Sequence, residues 1–579
     1  MSDNSPSPSK LNTLFADKRS FCKRMLLAGS VALAFCFSFL FFGPLELVAF
    51  GGGSFSYSYH DILLPLGIVA LSIFIVSTLV LSLLRGRIFN YVIGVLLALT
   101  ISGYMQGMFM NGALGALTGD AIDWGANRSD MLLNLLIWAG VIVSVFTLMF
   151  FSREIWKKAT VFISILLVIM QAVPTFAIFS GAYEETHTSD ISEYALTDTG
   201  MTEFSHNGNI LVIVLDRLDY DYIDLALAAK PDLFDSYDGF TLYSNAISAY
   251  ARTQPALVHM LTGYEEAYNI PVDEYYHNAW EYNGDNIFDI LSERGYSIEA
   301  YTTLSYLFRD TDVLTEHIAN ASNGKGEFVH AQALPKILEL SAYRYAPIAL
   351  KPFFWADTNY YNSDVYASEE YTVYQFNDSF YAEKLYAGST ADREERTFKF
   401  IHFMGPHAPY YIYYDGSLSE SPTNPEAQTV GSFVNLAKLF ARMKELGIYE
   451  DTAIIIAGDH GMPVDDMQPI SKQTRIGLFY KPAGAAEIPL KISSAQVCSA
   501  NIPATILKAA GVDESPYGPS LDEIPEDAEI IRRTYKSITN QVEVNEIMYC
   551  TYEVVGDASD FSNWDMIERT DVAPDGKFY

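Results

Sequence analysis

Hydrophobic residues follow two different rhythms along this chain. Up to about residue 180 they form long unbroken runs, and beyond it short runs of six to eight separated by polar, helix-patterned stretches. Five of the long runs, near 25–43, 62–84, 88–110, 131–151 and 159–180, match the roughly 20 helical residues needed to cross a hydrocarbon core about 30 Å thick. The second, ILLPLGIVALSIFIVSTLVLSLL, carries no charge. A helix apolar on every side for that length suits lipid and not a soluble core. A cleaved signal peptide is a poor reading, because four further runs follow the first. The spans hold little ionisable chemistry, with Gln106, Gln171 and Pro174 the only breaks of note. Channels and ion-coupled transporters keep functional charges at that depth, so the pattern favours an anchor or a lipid-binding platform over a transporter.

The second rhythm predicts an α/β domain. NILVIVLD (209–216) is a wholly apolar run of the kind buried on both faces of a parallel sheet. SIEAYTT (297–303), FKFIHFM (398–404), TAIIIAGD (452–459) and IGLFYKP (476–482) read as further strands. Helical patterns such as NIFDILSERG (286–295) and VGSFVNLAKLFARMKELG (430–447) lie between them, and this alternation argues for a doubly wound sheet. Two alternating segments within 530–556, IIRRTYKSI and EIMYCTYEVVG, predict a small antiparallel sheet at the C-terminal end. The expected organisation is a cytoplasmic N-terminal segment (1–24), a five-helix transmembrane domain (25–180), a polar linker (181–205), an α/β domain (206–525) and a C-terminal β subdomain (526–579).

Charge sharpens the division. Residues 1–180 hold 11 basic and 8 acidic side chains and the remainder 26 and 62, so the second part is strongly acidic. Nucleic acid and anionic lipid surfaces would both repel it, and no nucleic-acid partner is expected. Ten basic residues (Lys10, Lys18, Arg19, Lys23, Arg24, Arg85, Arg87, Arg153, Lys157 and Lys158) fall on one side of the five spans, against Arg128 alone on the other. Positive residues stay cytoplasmic, which places the N-terminus inside and, after an odd number of spans, the acidic part outside. There Cys498 and Cys550 form either one disulfide or two buried thiols. The oligomeric state is left open.

In open α/β sheets ligands bind at the carboxyl ends of strands. Three of the predicted strands end in chemistry: the first in Asp216-Arg217, the 398–404 run in Gly405-Pro406-His407, and the 452–458 run in Asp459-His460-Gly461. Carboxylates with imidazoles suit Zn²⁺ or Mn²⁺ better than Ca²⁺ or a soft metal. Thr253, in Tyr250-Ala251-Arg252-Thr253-Gln254-Pro255-Ala256, supplies a hydroxyl at the start of the helical stretch ALVHMLTG, where the helix dipole and free N–H groups favour a phosphate. Each residue also has an ordinary reading: Asp216 and Thr253 as helix caps, His407 as a structural loop residue. Their joint order decides between the two.

In that order, and in the stretches NILVIVLD, ARTQPALVHMLTG, HFMGPHAPY, IIIAGDHGMP, TRIGLFYKP and ANIPATILKAAGV, the chain resembles the alkaline phosphatase and sulfatase superfamily. Within it, the resemblance is to the membrane-anchored lipoteichoic acid synthase and phosphoethanolamine transferase branches, whose five spans precede an extracytoplasmic sulfatase-like domain. The resemblance implies that Asp216, Thr253, Asp459 and His460 hold one Mn²⁺ or Zn²⁺ ion and that Thr253 attacks phosphorus. It further implies that His407 binds the phosphate or protonates the leaving oxygen, and that Arg252 and Arg309 bind substrate. Departures from the family narrow the activity. Sulfatases convert a Cys or Ser in a C/S-x-P-x-R motif to formylglycine, which Thr253 cannot form, and Leu257 stands where that arginine would be. Two cysteines in the acidic part cannot provide the several disulfides of phosphoethanolamine transferases, which favours a phosphoglycerol transferase.

The implied function is a transferase that moves a phosphoglycerol- or phosphoethanolamine-type group from a membrane lipid donor to a glycan or glycolipid acceptor. The rivals are an extracytoplasmic phosphodiesterase or sulfatase-like hydrolase and a non-catalytic envelope scaffold; the complete Asp216, Thr253, Asp459 and His460 set argues against the scaffold.

Overall fold

The computed structural model describes residues 19–50, 55, 57–111, 128–180, 194–266, 270–282, 284–309, 311–324, 327–354, 361, 365–366, 378–462, 474–486, 488–539 and 547–572. Contacts divide the chain into two compact units, Met1–Thr188 with Glu327–Ala367, and Ser189–Gly326 with Ser368–Tyr579.

The first unit contains the five expected helices: α1 (Phe21–Ala49), α2 (Tyr59–Leu83), α3 (Gly86–Phe109), α4 (Arg128–Phe151) and α5 (Arg153–Phe179), each long and apolar enough to cross a membrane. Large apolar side chains point outward along them, with Leu64 72% exposed and Phe151 88%. A water-soluble surface would not tolerate so continuous an apolar face. Small and β-branched residues let the helices approach, as where Ala28, Val31, Ile93 and Ala98 pack together. Two of the polar breaks noted in the sequence bond within the bundle: Gln171 donates to Ser38 Oγ (2.8 Å), and Gln106 Oε1 accepts from Asn134 (2.6 Å) and Trp138 (3.1 Å). Residues 327–367, expected inside the 206–525 domain, belong to this unit, chiefly as a helix over His330–Tyr345.

The second unit is built on a seven-stranded mixed sheet of β1 (Asn209–Leu215), β2 (Thr241–Tyr243), β3 (Tyr296–Tyr301), β4 (Arg396–Phe403), β5 (Thr452–Ala457), β6 (Leu478–Lys481) and β7 (Lys491–Ser493), ordered β7-β2-β6-β5-β1-β4-β3. β5, β1, β4 and β3 are mutually parallel, and β6 runs antiparallel to both β5 and β2. The alternation of β1 explains its unbroken hydrophobicity. Ile210, Val212 and Val214 enter one core, Leu211, Ile213 and Leu215 the other, so both faces are covered. α6 (Tyr220–Ala229) and α9 (Pro425–Glu445) lie on the second face, where Ile223, Ala226, Phe433, Leu436 and Phe440 are buried. The C-terminal sheet has three antiparallel strands, β8 (Arg532–Thr539), β9 (Ile547–Val554) and β10 (Trp564–Val572). The two sequence segments predict only the first two.

Within the stretch expected as a linker, Tyr194–Leu196 and Glu203–Ser205 pair with Ala321–Asn323 and Thr390–Arg393; residues 181–193 lie outside the described set. Cys498 and Cys550 are both buried thiols, in a tyrosine-rich cluster that joins β8 and β9 to the helix beginning at Thr253.

Candidate active site

Three neighbouring parallel strands deliver their carboxyl ends to one edge. The register sets Val214 beside His402 and Ala457, so Asp216 just after β1, His402 next to last in β4, and Asp459 just after β5 emerge together. Ligand atoms of Asp216, His402 and Asp459 all lie within 4.8 Å of one another. His460 joins them, its Nε2 3.7 Å from Asp216 Oδ1 and 3.5 Å from Asp459 Oδ2. Thr253, the first residue of α7 (Thr253–Thr262), places Oγ1 3.4 Å from the same Nε2. The four residues implied to hold a metal are therefore gathered at one point, with His402 as a fifth.

Backbone geometry aims each group. Arg217 takes a left-handed conformation, with φ 58°, unusual for a residue with a side chain. Its N–H donates to Asp459 Oδ1 (3.0 Å), which also accepts from His460 N (2.7 Å). Oδ1 is thereby occupied and Oδ2 is left for the cluster. Ser248 Oγ donates to the Asp459 carbonyl (2.6 Å). His460 Nδ1 lies 3.1 Å from the Gly461 carbonyl; a carbonyl only accepts, so the neutral ring carries its proton there and turns the Nε2 lone pair inward. His402 Nδ1 pairs with Thr302 Oγ1 (3.1 Å) just beyond β3.

Gly461 has no room for a side chain. A Cβ there would stand 2.0 Å from the Arg475 carbonyl oxygen and 2.3 Å from Asp219 Oδ2. Gly461→Ala is expected to displace the Asp459-His460 turn, lowering stability to urea by about 2 kcal/mol and abolishing turnover; an unchanged urea midpoint would refute this.

Burial, reinforced by Asp459, pushes the Asp216 carboxyl well above its ordinary range. Burial also acts to raise Asp459, but His460, His402 and the two backbone N–H groups hold it below. Burial drives His402 down to about 4 and lowers His460 too. Both imidazoles are thus neutral, and the charge-poor pocket favours a proton or a cation between the carboxylates. Asp216 Oδ1, Asp459 Oδ2 and His402 Nε2 are buried without a hydrogen-bond partner among the described residues. Donor separations of 3.4, 3.5, 3.7 and 3.8 Å compare with about 3.4 Å between tetrahedral ligands bonded at roughly 2.1 Å. This donor set fits one divalent cation.

The remaining predicted residues differ in placement. Arg252 precedes α7, and its charge joins that of Arg217 in disfavouring protonation of His460. His407 follows β4 in a turn, its N–H on the Met404 carbonyl (3.0 Å) and its Nδ1 against the Ala408 carbonyl. Arg309 is engaged on α8 (Val272–Trp280), 4.0 Å from the Asp273 carboxylate and above the Tyr276 ring. Sequence reasoning missed His402, although an imidazole next to last in an apolar strand was the available signal. It also missed Asp378, whose carboxylate accepts from Met404 N (2.9 Å) and Gly405 N (2.7 Å) and so pins the turn leading to His407; burial pushes it up to about 7.

The Sulfatase family model matches residues 208–512, just over half of the chain. No curated protein sequence matches it. Among solved structures, phosphonate monoester hydrolase from Silicibacter pomeroyi is 15% identical, covering 63% of this chain and 89% of its own, with a TM-score of 0.37. The C-terminal periplasmic domain of EptC from Escherichia coli is 13% identical, covering 57% and 89%, with a TM-score of 0.34. An alkaline phosphatase superfamily protein from Vibrio parahaemolyticus is 14% identical, covering 65% and 84%, with a TM-score of 0.36. The family match runs from the strand that ends in Asp216 to beyond the turn that holds Asp459 and His460, and the chain therefore belongs to the sulfatase family of metal-dependent enzymes.

Proposed function

We propose that the chain is a membrane-anchored transferase moving a phosphoglycerol- or phosphoethanolamine-type group from a lipid headgroup to a hydroxyl of an extracytoplasmic glycan or glycolipid, through a phosphothreonine at Thr253. The observation that carries this reading is the Thr253 hydroxyl standing at a helix start inside a buried set of cation-binding donors, where a sulfatase would carry Cys or Ser. A Mn²⁺ or Zn²⁺ ion held by Asp216, Thr253, Asp459 and His460, with His402 as a further donor, would lower the hydroxyl pKa and draw charge from phosphate oxygens.

The chain's own groups carry the rest. Thr253 Oγ1, its proton released to solvent beforehand, bonds to phosphorus as the bond to the diacylglycerol oxygen breaks, and protonated His407 supplies the proton that oxygen needs. The acceptor hydroxyl then attacks the phosphothreonine, Thr253 Oγ1 leaves, and His407 takes the acceptor's proton. Arg252 and Arg309 bind the phosphate charge. Anchoring by five spans raises the effective concentration of a donor that is itself in the bilayer, and the positive side of the spans puts the site outside the cytoplasm.

Full-length protein in nanodiscs containing headgroup-labelled phosphatidylglycerol or phosphatidylethanolamine, with glycan or glycolipid added, tests this. Label is expected on the acceptor with diacylglycerol released. Free glycerol phosphate or phosphoethanolamine alone would establish a hydrolase and overturn the transferase.

A further inference from the structure

Within the first unit, the segment Glu327–Ala367 has a surface that the packing of the helices does not explain. Because successive spans alternate in direction, Ala49, Tyr59, Phe109, Arg128 and Phe179 mark one end of the bundle. The helix His330–Tyr345 binds there: His330 Nε2 lies 3.2 Å from the Asp61 carbonyl, Arg344 pairs with Glu46 (3.0 Å), and Asn111 donates to the Arg344 carbonyl (3.0 Å). Ser341 reaches deeper, donating to the Phe39 carbonyl (2.9 Å).

Its last aromatic is seated in a notch made by missing side chains. A Cβ on Gly43 would stand 2.6 Å from the Tyr345 ring, and one on Gly107 2.3 Å. Gly43 and Gly107 lie six and two residues inside the helix ends at Ala49 and Phe109, or about 9 and 3 Å at 1.5 Å per residue. The segment thus enters the bundle below its rim.

Beyond Tyr345 the chain makes a short turn, Ile348–Phe353, tied to α4 by Ile348 N donating to Asn134 Oδ1 (3.1 Å), again six residues inside a helix end. From it Leu350 and Phe353 project, 48% and 78% exposed. Its single charge is turned inward: Lys351 is fully buried, its Nζ on the carbonyls of Tyr343 and Arg344. The turn therefore offers its surroundings apolar groups at a depth where Leu132, Leu133 and Leu136 of α4 are likewise outward-facing. Leaving a Phe or Leu in water forgoes the free energy of burying it, whereas a bilayer around the spans covers both.

We propose that residues 330–353 are an interfacial membrane element wedged into the end of the bundle, with Leu350 and Phe353 immersed in the adjoining lipid leaflet. Continuity with the lipid-facing surface of α4 selects lipid as the occupant. The proposal rests on α1–α5 spanning a membrane and is independent of the reaction assigned to the second unit.

The test uses the full chain carrying Cys22→Ser, with Leu350→Cys or Phe353→Cys labelled by an environment-sensitive fluorophore and reconstituted in phosphatidylcholine–phosphatidylglycerol liposomes. Labels at both sites are expected to shift to the blue, to lose most of their emission to lipids bearing a nitroxide near the headgroup, and to resist aqueous iodide. Quenching by iodide with none by nitroxide lipid would overturn the proposal. So would shielding from both quenchers that grows with protein density, which would mean a second copy. A label at Leu136→Cys must be quenched by nitroxide lipid in the same preparation; if it is not, the spans themselves, and with them this proposal, fail.

Discussion

Thr253→Ala is expected to leave a folded, membrane-inserted protein with turnover lowered on the order of 10⁴-fold or more, because the substitution removes the one hydroxyl in the donor cluster. The structural cost is small. Thr253 is half-buried at the first position of α7, while the helix is held by Pro255, Ala256, Leu257 and Val258, all buried, so stability should change by less than about 1 kcal/mol. Thr253→Ser restores the oxygen and should recover a measurable fraction of the rate, which a merely structural role would not explain. Intact mass after brief exposure to the lipid donor gives a second reading: an adduct on wild-type protein, mapped to Thr253 by peptide mass, and none on the alanine variant. Full activity in Thr253→Ala would remove this residue from the chemistry, whatever the fold.

The sequence carries most of the frame because its strongest signals are local. A run such as NILVIVLD must be covered on both faces wherever it lies, and its last carboxylate falls at the strand's end without reference to any partner. The same logic finds Asp459 and His460. What it misses depends on pairing across the chain. IGLFYKP reads as one more strand, but nothing within it says that it lies antiparallel to TAIIIAGD. His402 looks like an interruption in FKFIHFM until the parallel register sets it beside Val214, two residues from Asp216. The helix at 330–345 has an ordinary amphipathic pattern, and only its partners, Glu46, Gly43 and Gly107, show that it serves the helical unit. Thr253 is the reverse case: its position before Gln-Pro resembles a cap, the structure gives the cap position to Arg252, and the hydroxyl is free to face His460.

Removing divalent cations from the full-length protein is expected to lower Tm, with a pH dependence that the site dictates. Without a cation, Asp216 holds a proton that the unfolded chain would release, so its contribution is present at low pH and lost as pH rises through its raised value. His402 acts the other way. Its folded value of about 4 lies below the ordinary 6.5, so the unfolded chain binds the proton more readily, and stability is lost as pH falls from about 6.5 towards 4, by up to about 3 kcal/mol. A cation must displace the Asp216 proton to bind. Mn²⁺ or Zn²⁺ at 100 times its dissociation constant, worth about 2.7 kcal/mol, should therefore be reached at a lower metal concentration at pH 8 than at pH 6. His402→Gln should flatten the slope between pH 4 and 6.5. Asp459→Asn should abolish the metal-induced rise, since it replaces the cluster carboxylate whose Oδ1 is fixed by two backbone N–H groups, leaving Oδ2 for the ion. A Tm indifferent to chelation at both pH values would mean that the five convergent side chains hold no ion.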